Sequence, residues 1–190
     1  GARASKDGLS ATGFPSGVAG MPAEIVETLC PLVFRRRALR PDSGGAGRWR
    51  GGLGQEREIT CLTDEPWSVA GLLDRTKHPA PGVDGGDPGA AGIYERGGGE
   101  SLPLKRVVAL ASSDSVRLAL PGWGGYGAPV LREPERVRAD VVEGYVSSDT
   151  ARERYRVSVR YLGRREALVR LPEHYELDAA ETAHLRARPE

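Results

Sequence analysis

Glycine, bunched into three long stretches that no helix or central strand can contain, limits this chain more than any other feature. Residues 41–54 read PDSGGAGRWRGGLG, residues 74–92 read DRTKHPAPGVDGGDPGAAG, and residues 121–129 read PGWGGYGAP. Glycine costs roughly 0.5–1 kcal/mol inside a helix or strand and proline costs more, so these segments are loops. They do not have the composition of tethers, however. Trp49, Trp123 and Tyr126 lie inside them, and burying so much aromatic surface predicts ordered loops packed around those rings.

Between the loops lie segments of strand length, alternating in the second half of Gln55–Thr63 and continuously apolar over Trp67–Leu73. Gln55–Thr63, Trp67–Leu73, Ile93–Arg96, Val107–Leu110 and Val116–Leu120 read as strands. Glu24–Leu39 reads as two short strands broken at Pro31, from its β-branched content and central proline. The period changes after Pro129. Pro134 stands at a helix N1 position, Val137, Val141 and Val142 follow at helical spacing, and Gly144 is placed to end the helix. Ser147 or Ser148 caps a second short helix through Arg154. Tyr155–Tyr161 and Ala167–Leu171 look extended, and Asp178 caps a terminal helix.

The fold class expected is therefore α+β, a mainly antiparallel β domain with glycine-rich loops and short C-terminal helices. Residues 1–22, with turn signals at Asp7-Gly8 and Pro15-Ser16-Gly17, read as a loop or linker continuing from an upstream region. Residues 23–130 form the β-rich domain, and residues 131–190 hold short helices, a strand pair and a tail. With Met21 its only methionine, the chain reads as a segment of something longer.

Composition removes several function classes. The 27 Lys and Arg nearly cancel the 26 Asp and Glu, so the basic footprint of a nucleic-acid binder is missing. No apolar run approaches the ~20 residues of a membrane-spanning helix, so a cytoplasmic chain without a membrane partner is expected. Cys30 and Cys61 sit in apolar stretches with no second Cys or His at metal-ligand spacing, and are expected to be small buried hydrophobes in a reducing compartment. There is no asparagine, so positive-φ positions should fall on Gly or Asp.

Candidate chemistry concentrates in the loops. Gly122–Gly127 matches G-x-G-x-x-G after a strand, yet Pro129 and Pro134 interrupt any helix that would hold a pyrophosphate, so a loop packed around Trp123 and Tyr126 is the better reading. In residues 41–54, successive glycine amides could form an anion nest with Arg48 and Arg50 as added donors. Equally, the glycines could let the chain double back around Trp49, with the arginines pairing elsewhere. Arg35, Arg36, Arg37 and Arg40 read as a solvated basic face. His78 is a lone histidine among acids, and His174 and His184 read as surface residues. No nucleophile elbow, Ser-His-Asp order, Walker lysine or paired histidines can be assembled.

Three strings resemble a known family: KDGLSATGFPSGV at Lys6–Val18 followed by P-x-E-I-x-E, LRPDSGGAGRWRGGLGQ at Leu39–Gln55, and LPGWGGYGAPVLREPERVRADVVEGYVSSDTARERY at Leu120–Tyr155. In order and wording they resemble the C-terminal third of hydantoinase B/5-oxoprolinase proteins. The resemblance implies membership of ATP-dependent machines that open cyclic amides such as hydantoins, 5-oxoproline and lactams, or that carboxylate ketones. It implies an A-type subunit handling ATP, an upstream B-subunit region carrying the metal ligands, and a cyclic amide or ketone substrate. No cofactor is then expected on this segment, ATP and a divalent metal belonging to the full assembly, and the segment alone is expected to be inactive. The opposing expectation is a non-catalytic structural or interaction module. No catalytic residue is assigned and no metal ligand is carried over. Lys6, Asp7, Asp42, Ser43, Arg48, Arg50, Gly52, Gly124, Gly125 and Tyr126 are the residues expected to form substrate or interface loops. Trp123 stands where relatives commonly have glycine, Gly13 where alanine is usual, and Arg156 where glycine is frequent.

Overall fold

A computed structural model of the chain describes residues 1–13, 17, 19–164, 166–167 and 169–188. The turn expected around Pro15-Ser16, the end of the KDGLSATGFPSGV string, and Leu168 within Ala167–Leu171 lie outside the described residues.

The order is helix α1 (Ala23–Leu29), strands β1 (Leu32–Leu39), β2 (Gln55–Cys61), β3 (Trp67–Ala70), β4 (Ile93–Arg96), β5 (Glu100–Ser101), β6 (Val107–Leu110) and β7 (Ser115–Ala119). Helices α2 (Pro134–Val142) and α3 (Ser148–Glu153), strands β8 (Val159–Tyr161) and β9 (Tyr175–Leu177), and helix α4 (Ala179–Ala187) complete it. The main sheet runs β1-β2-β7-β4-β5, β3 pairs with β6, and β8 pairs with β9. The pairings among these strands are antiparallel, giving the α+β class with its mainly antiparallel sheets.

Two segments differ from expectation. Pro31 does break Glu24–Leu39, but the half before it is helical rather than extended. Ala, Glu and Leu favour a helix enough to offset Ile25 and Val26, and Cys30 turns extended as a residue before proline does. The second difference lies after α3. The strand pair is Val159–Tyr161 with Tyr175–Leu177, not with Ala167–Leu171. Residues 155–158 are not strand because Arg156 takes a left-handed φ of 55° and the Val157 amide turns back to the Ala151 carbonyl. Positive φ also falls on Ala11, Arg75 and Lys105 beside Asp42 and Asp84, so such positions are not confined to Gly and Asp.

Helix α2 starts at Pro134, whose missing amide proton costs nothing there. It ends where Gly144, at φ 71°, lets the chain leave the helix. Ser147 caps α3 by accepting from the Thr150 amide, and Asp178 caps α4 by accepting from Glu181. Apolar burial falls in two clusters. One, around Leu73, Tyr94, Leu102, Leu110 and Val116, joins β4 and β7 of the main sheet to β6. The other joins Val137, Val141, Val146, Tyr155 and Val157, and Ala46 of the first glycine loop enters it. Fully burying each such valine contributes about 1.5–3 kcal/mol, which ties the C-terminal helices to the loops. The cysteines are not core residues: Cys30 is exposed and Cys61 half-buried, with the Thr63 hydroxyl 3.3 Å from its sulfur holding that thiol below its usual range.

Candidate functional site

The three glycine loops pack on one another. In the 41–54 loop, Gly45 donates to Trp123 O (2.8 Å), Trp49 and Tyr126 exchange backbone bonds (3.0 and 2.9 Å), and Ser43 O accepts from Ala90 (2.8 Å). Asp87 donates to Ala46 O (2.7 Å) and Gly125 to Asp87 O (2.9 Å), joining the other two loops. Backbones this close leave no room for side chains. A Cβ added at Gly52 would overlap the Leu9 carbonyl, and one at Gly122 the Ser43 carbonyl. The glycines therefore serve close approach, and neither of these two has a positive φ.

A buried ion network closes the loops. Arg132, 2% exposed, follows the third loop and donates from both terminal nitrogens to Asp7 (2.6 and 2.8 Å), and its Nη1 also reaches the Arg48 carbonyl (3.1 Å). Its Nη2 lies 2.8 Å from Asp140 Oδ2, a charge contact off the hydrogen-bond direction, so that oxygen has no hydrogen-bond partner among the described residues. Arg50 Nε reaches Asp140 Oδ1 at 3.3 Å, and its guanidinium stands 4.9 Å over the Tyr145 ring. Asp7 also accepts from the Arg50 amide (2.6 Å), and Gly8 donates to the Arg50 carbonyl (2.8 Å). The segment around Asp7 is thus bound between the first loop and α2.

Two arginines and two aspartates leave the cluster neutral, and burial acts against the charge on Asp7, Arg132 and Asp140. For Asp7, burial would raise the carboxyl, but the Arg132 hydrogen bonds and charge and the Arg50 amide more than reverse this, holding it below its ordinary value. For Asp140 burial wins over both arginines and the carboxyl is pushed up. Burial also pushes up the Tyr155 phenol, whose hydroxyl is enclosed and unpartnered among the described residues.

The expected site residues separate into two groups. Ser43, Arg50, Gly52 and Gly125 belong to the packed interior, with Asp7 half-buried against it; Ser43 is buried with its hydroxyl donating to Arg40 O and accepting from the Gly54 amide. Lys6, Asp42 and Arg48 are exposed, and Gly124 and Tyr126 are half-buried. Asp42 Oδ1 accepts from the Ser147 amide. Arg50 is therefore no surface contact, whereas Arg48 has its side chain outward. Sequence reasoning missed Arg132, Asp140 and Tyr155. A signal existed for Asp140, which lies three residues after Val137 on the apolar face of α2, where a charge requires a buried partner.

The glycine loops do not fit a nucleotide. The amides of Gly122, Trp123, Gly125, Tyr126 and Gly127 all donate to carbonyls of the chain, and only a three-residue 3-10 turn at Pro129–Leu131 follows. In residues 41–54 the amides of Gly45, Arg48, Trp49, Gly51 and Gly54 are likewise engaged, by carbonyls or by the Ser43 hydroxyl. Among the described residues no three His, Cys, Asp or Glu converge to hold a cation.

Interlocked glycine loops clasped to an antiparallel sheet define a protein module already represented among known folds. The chain belongs to the hydantoinase B/oxoprolinase family, whose model matches residues 1–129. It is 34% identical over 166 residues to a putative D-/L-hydantoinase component of Pseudomonas sp. (strain NS671), covering 84% of this chain and 28% of that protein. The ATP-dependent caprolactamase structure from Pseudomonas jessenii matches with a TM-score of 0.78 and 27% identity over 99% of this chain and 32% of that one. A nucleotide-free acetone carboxylase structure matches with a TM-score of 0.72 and 27% identity over 97% of this chain and 28% of that one. The chain thus spans between a quarter and a third of the length of these relatives. Several relatives are named as subunits, among them the beta subunit of a caprolactamase and the alpha subunit of an acetone carboxylase. Among the described residues no helix is long and apolar enough to cross a membrane.

Proposed function

We propose that this chain is a scaffold segment of an ATP-dependent enzyme that opens cyclic amides, with the chemistry supplied by other parts of that enzyme. One observation carries the reading: many amides of the glycine loops bond to carbonyls of the chain, and the Asp7 and Asp140 carboxylates are both held by arginines, Arg132 and Arg50, which suits these groups to packing rather than to chemistry. The substrate class follows from similarity to proteins named hydantoinase, caprolactamase and 5-oxoprolinase, and is a hydantoin, 5-oxoproline or a lactam.

The partners proposed are an upstream B-subunit region and an A-type subunit that handles ATP, with ATP and a divalent metal held outside this segment. Exposed Met21, Ile25 and Leu29, spaced four apart along α1 and its approach, support a contact there. Lys6, Asp42 and Arg48 supply outward polar groups beside the knot. The unpaired Cys30 and Cys61 are in keeping with a reducing cytoplasm. The likeness to acetone carboxylase favours ketone carboxylation as a second reading.

Reconstituting the chain with the upstream region and the A-type subunit decides between them. ADP release driven by hydantoin, 5-oxoproline or caprolactam supports the amide reading, and ADP release driven only by acetone with bicarbonate replaces it.

A further inference from the structure

The main sheet carries an uncompensated pair of like charges. The β1–β2 register sets Arg37 directly opposite Arg57, an arrangement that destabilises a sheet unless something neutralises it. Their neighbours on the other face are neutralised, Arg36 and Arg117 by Glu56, and Arg117 also by Glu95. Arg37 and Arg57 have no carboxylate within ion-pair distance among the described residues; Arg37 donates to the Met21 carbonyl and Arg57 to the Gln55 side chain (2.7 and 2.5 Å). The Arg57 guanidinium is held below its usual range, first by burial and then by Arg37. Edge protection explains a charge on the outer strand β1, but Arg57 lies on β2, an interior strand.

These two side chains border a cavity of about 350 Å³, to which Arg75 adds a third guanidinium. Arg75 holds a left-handed φ of 57° and stands 5.5 Å over the Trp123 ring. Such backbone strain persists only where the surroundings fix it. No Asp or Glu lines the cavity among the described residues, and its other wall is apolar: Leu53, Leu120, Pro121 and Trp123. The volume falls within the range of small-molecule sites, roughly 300–1,000 Å³.

We infer that this cavity binds a small organic carboxylate, its head group between Arg37, Arg57 and Arg75 and its apolar body against Trp123 and Leu120. An inorganic oxyanion would satisfy the cations but leave the apolar wall bare, and a neutral ligand would leave the like charges unrelieved. The inference is independent of the reaction proposed above, because it rests on charge and shape in this chain alone.

The test titrates the 190-residue chain by calorimetry with pentanoate, with its neutral isostere pentanamide, and with inorganic phosphate. Saturable pentanoate binding is expected, at least tenfold tighter than either of the others, with quenching of tryptophan fluorescence that disappears in Trp123→Phe. Arg57→Gln and Arg37→Gln should each weaken it at least tenfold while circular dichroism stays native. Should Arg57→Gln misfold, Arg37→Gln on the exposed outer strand decides alone. Pentanamide or phosphate binding as tightly as pentanoate, no saturable pentanoate binding, or unchanged affinity in a folded arginine variant overturns the assignment.

Discussion

Replacing Arg132 by methionine keeps much of the side-chain volume and removes the guanidinium that joins residues 7, 48 and 140. In the native chain that group makes two bonds to Asp7 at 2.6 and 2.8 Å, contacts Asp140 at 2.8 Å and donates to the Arg48 carbonyl at 3.1 Å. Its loss leaves two carboxylates with one cation, Arg50, which reaches Asp140 at 3.3 Å. Asp140 is only 6% exposed, so solvent cannot take over. Removing one partner of a buried pair costs about 3–5 kcal/mol, most of it the uncompensated charge left behind. For a chain of this size each kcal/mol moves Tm by about 2–4 °C, so calorimetry should show a fall of roughly 6–20 °C. Adding Asp140→Asn removes one orphaned charge and should recover part of the loss. A fall below about 2 °C, or no recovery in the double variant, would refute the view that this network closes the loops.

The remaining predictions concern the same knot. Gly52→Val should cost more stability than Gly98→Val in a urea melt, because its Cβ meets the Leu9 carbonyl whereas nothing lies near Gly98 despite its φ of 94°; equal midpoints would remove close packing as the reason for the glycine. Carboxyl NMR should place the Asp7 midpoint below the ordinary value of about 3.9 and that of Asp140 above it. Asp7 then contributes stability present above pH ~4 and lost as pH falls through its lowered midpoint, while Asp140 contributes stability present at low pH and lost as pH rises through its raised one; midpoints in the reverse order would contradict the geometry. Arg48→Lys should leave Tm within about 1 °C while weakening subunit assembly in a pull-down, because lysine lacks the bidentate fork. Arg50→Lys should lower Tm, since Arg50 is buried against Asp140; the opposite pattern would exchange the roles of the two arginines.

Much of the fold was legible because it follows from local rules. Pro134 and Gly144 bracket α2, Ser147 and Asp178 cap the helices after it, and short segments of strand length between the glycine loops mark β2, β4, β6 and β7. Failures came where tertiary context overrides local preference. Helix α1 holds β-branched residues yet is helical and buries none of them. Strand β9 is three residues long and exists through its pairing with β8. The site was legible only in part. Glycine bunching located the loops, but nothing local says that their amides meet each other instead of an anion. Nothing near Arg132 in sequence marks it for burial; the fold brings Asp7, 125 positions away, onto it.

The central claim, that this segment scaffolds chemistry performed elsewhere, meets its most direct test in ADP formation driven by hydantoin, 5-oxoproline or caprolactam, first for the purified chain with ATP and magnesium, then after adding the upstream region and A-type subunit. No substrate-dependent ADP from the chain alone, and turnover of at least one cyclic amide by the complete assembly, is the predicted result. Turnover by the chain alone would contradict it.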